Sequence, residues 1–452
     1  MISSPTSWIA RWREALARAR LARLDSGPRL RIAAMSTPEL PVIAHGFVYQ
    51  ELTSMQGMLG ADVKLFHHAH TQEDGVHPDF APLLANAEFV RPSARTHRAD
   101  TRYWQARSPR AFDRLMGALC EHSGLSRDAL AASFDLSIAF TYARRLEAWR
   151  ARYVHTYFFY NAALCGLVSA WLLGIPRGLT AYADHVLRDW PLKVVPLHLR
   201  TATVVVATSH RIAEELVSIG GDELHARLVV KPNAVDLSRF AVAAPRSDAA
   251  KPLRLIVIAR IDRKKGLNDL VQAVALLAAR KIEVRSKILG GADPRSPDSL
   301  AAESELRESI RALGLEDRVE LTGQLGHARV VDSLAESDVF LAPFVETSSG
   351  DKDGIPTAML EAMASGLPVI ATRTGSLGEA FDDGVEGIAV PPRDPSALAD
   401  AIARLAIEPA IRKAMGRAAR ARVEREFDVQ VAEPRLHARI TAAVGMNATK
   451  DE

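Results

Sequence analysis

Cysteine is scarce in this chain of 452 residues: only Cys120 and Cys165 occur, and two thiols encode neither a disulfide framework nor a thiolate metal site. A reducing compartment, the cytoplasm, suits such a chain. Long apolar runs are also missing. The stretch around 162–173 is too short to span a bilayer, and the opening MISSPTSWIARWREALARAR lacks the unbroken apolar core of a secretory signal. Neither secretion nor membrane insertion is expected. Charge of one sign is absent too, because 57 basic and 54 acidic residues leave a formal net charge of +3. That balance is too mild for wholesale nucleic-acid binding, so any basic surface is local.

What the sequence has is alternation of strand and helix periodicity. RLRIAAMS at 29–36 reads as a buried strand and FVYQELTSMQGML as a helix. YVHTYFFY reads as a strand, NAALCGLVSAWLLG as a buried helix ending at Gly174, and 178–182 as another strand before TVVVATSHRIAEELVSI repeats the pattern. Residues 236–251 are small, polar and proline-containing, and read as a linker. Beyond it the alternation is plainer, from LRLIVIA at 253–259 through LNDLVQAVALLAAR, VRSKILG, VELTG and DVFLAPF to PVIAT. The expected class is α/β, with two Rossmann-like, doubly wound domains over residues 29–240 and 251–422.

Two segments carry chemistry. The strand LRLIVIA ends in a loop bearing Arg260, Lys264, Lys265 and Gly266, and open parallel sheets bind ligands at such carboxyl ends. Arg260 and Lys265, with nearby helix amides, are suited to neutralising a diphosphate without a metal; charges of a solvated loop are the plain alternative. In GDKDGIPTAMLEAMASGLPVI, a helix starting near Thr357 and ending at Ser365 aims free amides at an anion. Asp353, followed by Gly354, Ile355 and Pro356, sits beside that anion. Glu361, one turn into the helix, is placed to accept ribose hydroxyls. Their plain reading is a turn residue and an exposed helix charge.

Together KPNAVDLSRF, IARIDRKKGLNDLVQAVALL, LTGQLGHARVVDSLAESDVFLAPF and DGIPTAMLEAMASGLPVIATRTGSLGEAF resemble family 4 of the retaining glycosyltransferases over most of residues 200–425. Members that build bacterial surface polysaccharides, such as the colanic acid transferases, look closest. The resemblance implies the GT-B fold: an acceptor domain and a donor domain facing a cleft, with a helix over 423–452 crossing back to the first. It implies that Arg260 and Lys265 hold the diphosphate, that Glu361 binds the ribose, and that Asp353 with the Gly354, Ile355 and Pro356 amides holds the donor sugar and phosphate. The family usually has Glu where Asp353 stands and Gly where Ala234 follows Pro232 and Asn233. The first half resembles the family more weakly, in HTYFFYNAALCGLVSAWLLGIPRGLTAYADH. Tyr182 stands there where many relatives carry His, with Asp184 and His185 in reach of the cleft; a strand-end structural role is the alternative.

The implied activity is metal-independent, retaining hexosyl transfer from a nucleoside-diphosphate sugar to a glycan or lipid-linked glycan at the inner face of the plasma membrane. A UDP sugar is favoured over GDP-mannose, and no cofactor beyond the donor is expected. A catalytically silent sugar-nucleotide-binding module and a nucleotide-sugar epimerase are the competing readings.

Other signals are weaker. His67, His68, His70, Glu73, Asp74 and His77 offer metal-ligand atoms but match no metal-site spacing; a polar loop lining the acceptor cleft is expected instead. Trp8, Trp12 and Leu16, with Arg11, Arg13, Arg18 and Arg20, form the pattern of a basic amphipathic helix over 1–28, suited to an anionic membrane or to packing on its own chain. Arg102, Arg107, Arg110 and Arg114, with Tyr103 and Trp104, read as an acceptor cover, a phospholipid contact or a solvated face.

Overall fold

Aliphatic runs without polar alternation need cover on both faces, which a parallel sheet between helix layers supplies. The computed structural model describes residues 29–71, 76–242 and 252–448. The helix expected at 1–28, the acids Glu73 and Asp74, and much of the expected linker lie outside the described residues. In the first half the strands are β1 (Arg31–Met35), β2 (Glu39–Leu40), β3 (Asp62–His67), β4 (Ala69–His70), β5 (Glu88–Phe89), β6 (Tyr153–Tyr157), β7 (Arg177–Ala181), β8 (Val204–Ala207) and β9 (Leu228–Val230). Seven of them form one parallel sheet in the order β5-β3-β1-β6-β7-β8-β9, with β2 and β4 paired apart. The second half adds β10 (Leu253–Ile258), β11 (Val284–Leu289), β12 (Val319–Gly323), β13 (Val339–Ala342), β14 (Val369–Thr372) and β15 (Gly387–Val390), parallel in the order β12-β11-β10-β13-β14-β15.

Both sheets reverse direction once. The chain winds outward from β1 through β3 to β5 and then returns to β6; from β10 it winds through β11 to β12 and returns to β13. The crevice between the two central strands at such a switch is where loops diverge and leave room for a ligand. The loops after β1 and β6, and those after β10 and β13, line one cleft of about 860 Å³. The two doubly wound domains facing a cleft are therefore present as expected.

Between β5 and β6 four helices follow in succession: Ala94–Arg107, Pro109–Ser123, Arg127–Ala132 and Phe134–Trp149. Ser93, Ser126 and Ser133 each accept a hydrogen bond from an amide of the first turn, and Pro109 starts its helix where no amide partner is lost. Of the 423–452 segment expected as one helix, the first four residues end the helix Pro409–Glu426, and the last helix, Val429–Ala448, starts after a break at 427–428. The break has a cause: the Val235 amide donates to the Phe427 carbonyl at 2.8 Å and the Val429 amide to the Val235 carbonyl at 3.1 Å, so the chain bends where it pairs with the end of the first domain.

The last helix then packs on that domain. Leu436 and Ile440 join Ile32, Val48, Tyr49 and Leu52 in one core. Lys231, beyond β9, lies 2.6 Å from Glu51 and 2.9 Å from Glu433, all three side chains almost fully buried. Removing one partner of a buried ion pair leaves an uncompensated charge and costs about 3–5 kcal/mol. Lys231→Ala should lower the unfolding free energy by about that amount in denaturant titrations and expose the last helix to protease. A loss below about 1 kcal/mol would show that the pair does not hold this helix.

Candidate functional site

Beyond β10 the chain must turn sharply past the end of β11. Gly290 makes this possible: its φ is +132°, and a Cβ there would stand 2.0 Å from the Ala259 carbonyl oxygen. The next residue, Arg260, is exposed in the cleft and has no side-chain partner among the described residues. A short 3-10 turn, Arg263–Lys265, follows, capped where the Asp262 carboxylate accepts from the Lys264 amide at 3.1 Å. The turn buries Lys265. Its Nζ is 2.9 Å from both oxygens of Asp353 and 4.1 Å from the Phe344 ring centre. Burial lowers the Lys265 pKa, and the Asp353 charge opposes that shift. Lys264 pairs in the same way with Asp351 at 3.0 Å.

Asp353 is fixed from behind as well. Gly375, with φ +62°, lets the chain approach so closely that a Cβ would meet the Asp353 carbonyl oxygen at 2.0 Å, and the Ser376 amide donates to that oxygen at 3.1 Å. The chain then passes through Gly354 and buried Ile355 to Pro356, an extended residue with no side-chain cap, and the helix Thr357–Ala364 begins at the cleft. Uncapped first-turn amides carry a partial positive charge suited to an anion. Glu361 lines the cleft one turn on, partly buried and without a side-chain hydrogen bond among the described residues. Burial pushes its carboxyl up to about 7, with Arg239 opposing.

The first domain forms the opposite wall. Tyr182 lines the cleft just past β7, with its ring centre 4.7 Å from Phe158 and 5.1 Å from Phe47. Its hydroxyl lies 3.4 Å from Asn233 Oδ1, and Asn233 in turn donates to the Thr357 hydroxyl at 3.0 Å. Asp184 also lines the cleft; burial raises its carboxyl, while the Phe159 amide donates to it at 2.9 Å. His185 is placed differently. The 3-10 turn Ala183–Val186 swings it inward to 5% exposure, its ring nitrogens 2.8 Å from the Tyr182 carbonyl and 2.8 Å from Glu215, and it does not line the cleft. Its setting is that of a positioning residue for the Tyr182 loop.

The cleft therefore collects Arg260, Lys265, Asp353, Gly354, Ile355, Pro356, Glu361 and Tyr182. The histidines around position 70 form no metal-holding group among the described residues, although the rings of His67 and His70 pack edge to face at 4.9 Å. His67 bonds to the Ala69 carbonyl, His68 to the Tyr142 hydroxyl, His70 stacks on Phe89, and only His77 of these reaches the cleft. Sequence reading missed His45, Phe47 and Phe158. His45 faces the cleft at the end of the loop after β1, where burial and the Arg260 charge lower its pKa to about 4 and leave Nδ1 without a partner. The usable signal was position: Ala44 and His45 directly precede the first helix, Gly46–Gly57, of a doubly wound sheet. Phe158 holds φ +62°, a strained value for an aromatic residue.

Across the cleft's end the two domains are joined. Both oxygens of Glu379 accept amides of the first domain, His210 N at 2.6 Å and Arg211 N at 2.9 Å, and Ser209 Oγ lies 2.7 Å from Ser376 Oγ.

Residues 252–408 match the family model described as glycosyl transferases group 1, and residues 121–239 match that of Glycosyltransferase Family 4. WcaL of Escherichia coli (strain K12), named as a colanic acid biosynthesis glycosyltransferase, is 34% identical over 211 residues, covering 45% of this chain and 48% of its own. The amylovoran biosynthesis glycosyltransferase AmsK of Erwinia amylovora is 34% identical over 186 residues, covering 41% of this chain and 44% of its own. The chain thus spans about half the length of these curated relatives. Among solved structures, sucrose-phosphate synthase (tll1590) from Thermosynechococcus elongatus superposes with a TM-score of 0.68 at 20% identity, and Anabaena Alr3699/HepE in complex with UDP with 0.67 at 17% identity. Each covers 92% of this chain and 100% of its own. These two likenesses show the fold alone.

The raised Glu361 pKa has a stability sign. The folded protein holds this proton up to about pH 7, whereas the ordinary value is 4.5, so stability falls as pH rises between the two. Against Glu361→Gln, the wild type should match near pH 4 and be less stable by up to about 3 kcal/mol at pH 8, read from unfolding curves across that range. Parallel pH profiles would place Glu361 in water.

Proposed function

Because the chain carries a Glycosyltransferase Family 4 domain and a glycosyl transferases group 1 domain, it belongs to the glycosyltransferases, and we propose that it is a retaining hexosyltransferase. In this reading it moves a hexosyl unit from a nucleoside-diphosphate sugar, a UDP sugar in preference to GDP-mannose, to a lipid-linked glycan in bacterial surface polysaccharide synthesis. The names of WcaL and AmsK support the polysaccharide setting.

One observation carries the donor site. Arg260 and Glu361, both without a side-chain partner among the described residues, Asp353-bound Lys265 and the uncapped start of Thr357–Ala364 line one cleft where β10 ends. Arg260 and the third N–H of Lys265 would take the diphosphate oxygens, the helix amides would share that charge, and Glu361 would accept the ribose hydroxyls. Asp353, with both oxygens on Lys265, would orient the ammonium and meet the sugar only from its open side. Transfer forms a bond from the acceptor hydroxyl oxygen to the anomeric carbon on the face that the phosphate leaves. The bond to the diphosphate breaks, and the hydroxyl proton passes to the departing phosphate oxygen. Fixed positive charge around that oxygen is the protein's main contribution. Nothing in this scheme calls on a metal ion.

Calorimetry against UDP, GDP and ADP without metal tests the donor site. One diphosphate should bind, and Lys265→Ala should weaken it by roughly tenfold to a hundredfold, the worth of a charge-assisted hydrogen bond, while nearly abolishing transfer. Binding that is unchanged in the variant would remove the phosphate assignment. No binding to any of the three would favour a catalytically silent module.

A further inference from the structure

His45 is a polar group of the cleft to which the donor site gives no role. It stands where the loops after β1 and β6 diverge, one residue before the helix Gly46–Gly57, and lines the same cleft as Arg260 and Lys265. The plain role for such a residue is to cap the helix, yet its side chain makes no capping hydrogen bond. Rings hold it instead: its centre lies 5.9 Å from that of Phe47 and 5.4 Å from that of Phe158, which is itself kept at φ +62°. So seated, the imidazole has its Nδ1 shut off from water and without a hydrogen-bond partner. Native folds leave few buried polar atoms unpaired, and each marks strain or function.

Charge separates His45 from the other histidines of the cleft. Among the described residues three line it, His45, His77 and His327. His77 and His327 feel Arg239 and Asp79, and Arg239 also acts on Glu361, whereas the charge that reaches His45 is that of Arg260. The elements packed on His45 bring rings: Phe47 from its own helix, Phe158 from the loop after β6, and Tyr182 against both of these. Lys265 and Asp353 of the facing wall are bonded to each other. Burial and Arg260 both act against the charged ring, and its pKa falls to about 4, so the empty protein keeps it neutral. A diphosphate on Arg260 reverses the second cause, because it cancels the arginine's charge and sets negative charge beside the ring.

We propose that His45 takes up a proton when a nucleoside diphosphate binds, and that the resulting imidazolium is the first domain's charge on that diphosphate. The inference rests on the donor site of the proposed function and deepens it. The proton comes from solvent and settles on the bare ring nitrogen, so that a ring with one N–H becomes a ring with two, facing a ligand that only accepts. It returns to solvent when the nucleotide leaves. Arg260 and Lys265 belong to the second domain and His45 to the first, so the new charge ties the first-domain wall to the donor. In the empty cleft the neutral ring adds no repulsion to Arg260; the charge is present only while an anion is there to receive it.

The test is calorimetry of the full chain with UDP, GDP and ADP between pH 6 and pH 8, each pH in two buffers of different ionisation enthalpy, which counts the protons taken up per nucleotide. Wild type is compared with His45→Phe, which keeps a ring in place, and with His45→Gln, which keeps a donor that does not titrate and carries the comparison where the larger ring disturbs the wall. Titrations of the nucleotide's own phosphate and of Glu361 are shared by all three proteins and drop out of the differences. A ring whose pKa rises on binding takes up protons, so it favours binding as the pH falls toward the bound value and does nothing well above it. Relative to the variants, wild type should take up about half a proton or more per nucleotide near pH 6.5 and gain roughly tenfold in affinity from pH 8 to pH 6, with the thermal unfolding midpoint kept. Equal proton counts with parallel pH profiles would overturn the inference and leave the donor site standing. Failure of wild type to bind any of the three nucleotides would remove the donor site and the inference together.

Discussion

One buried ammonium ties the ends of the described chain together. Lys231 stands between Glu51 on the first helix and Glu433 on the last, with nearly no water to share the charge. A carboxylate so placed has lost its hydration, and the lysine offsets that loss, helped at Glu51 by the Tyr157 hydroxyl donating at 2.7 Å. The consequence reaches beyond the first domain. Helix Pro409–Glu426 packs on the second domain and Val429–Ala448 on the first, so fixing Glu433 fixes the crossing between them. The bridge from Val235 to Asp428 and the Glu379 carboxylate on the amides of His210 and Arg211 add two further ties between the parts of the chain that carry the cleft walls.

Within the cleft the charges are unevenly satisfied. Lys265 and Lys264 each have a carboxylate partner, whereas Arg260 has none among the described residues and Glu361 sits where burial raises its pKa to about 7. A fold selected for stability alone would pair or remove such groups. Leaving a cation at one end and a carboxylate at the other, about a helix turn from uncapped amides, prepares the cleft for a ligand with negative charge at one end and hydroxyls at the other. In the proposed donor site, stability lost to Glu361 would be regained when hydroxyl donors arrive.

How much of this was legible in the sequence depended on whether the residues were neighbours along the chain. The second sheet was read almost strand for strand, because each strand is a short aliphatic run next to its helix. The second-domain wall of the cleft came from two contiguous segments, 260–266 and 353–361. The first domain yielded less. Its four consecutive helices after β5 break the alternation that identifies a doubly wound sheet, and their caps, Ser93, Ser126 and Ser133, are single residues in polar surroundings. The last helix read as one because Phe427 and Asp428 carry no helix-breaking signal; the bend comes from Val235, almost two hundred residues away in sequence.

His185 and His45 show the same limit from opposite sides. His185 lies three residues from Tyr182, close enough along the chain to share its wall, yet a single 3-10 turn sends it to Glu215. His45 sits far from every motif, in a loop that periodicity passes over, yet the switch in strand order brings it opposite Arg260. Spacing along a chain fixes direction only within a regular element. In irregular loops, the topology decides which side chains meet: the loops after β1 and β6 had to meet those after β10 and β13 once both sheets reversed at those strands. The first-domain wall of the cleft was therefore open to prediction from strand order, given the sheet, whereas motif reached only Tyr182 and Asp184.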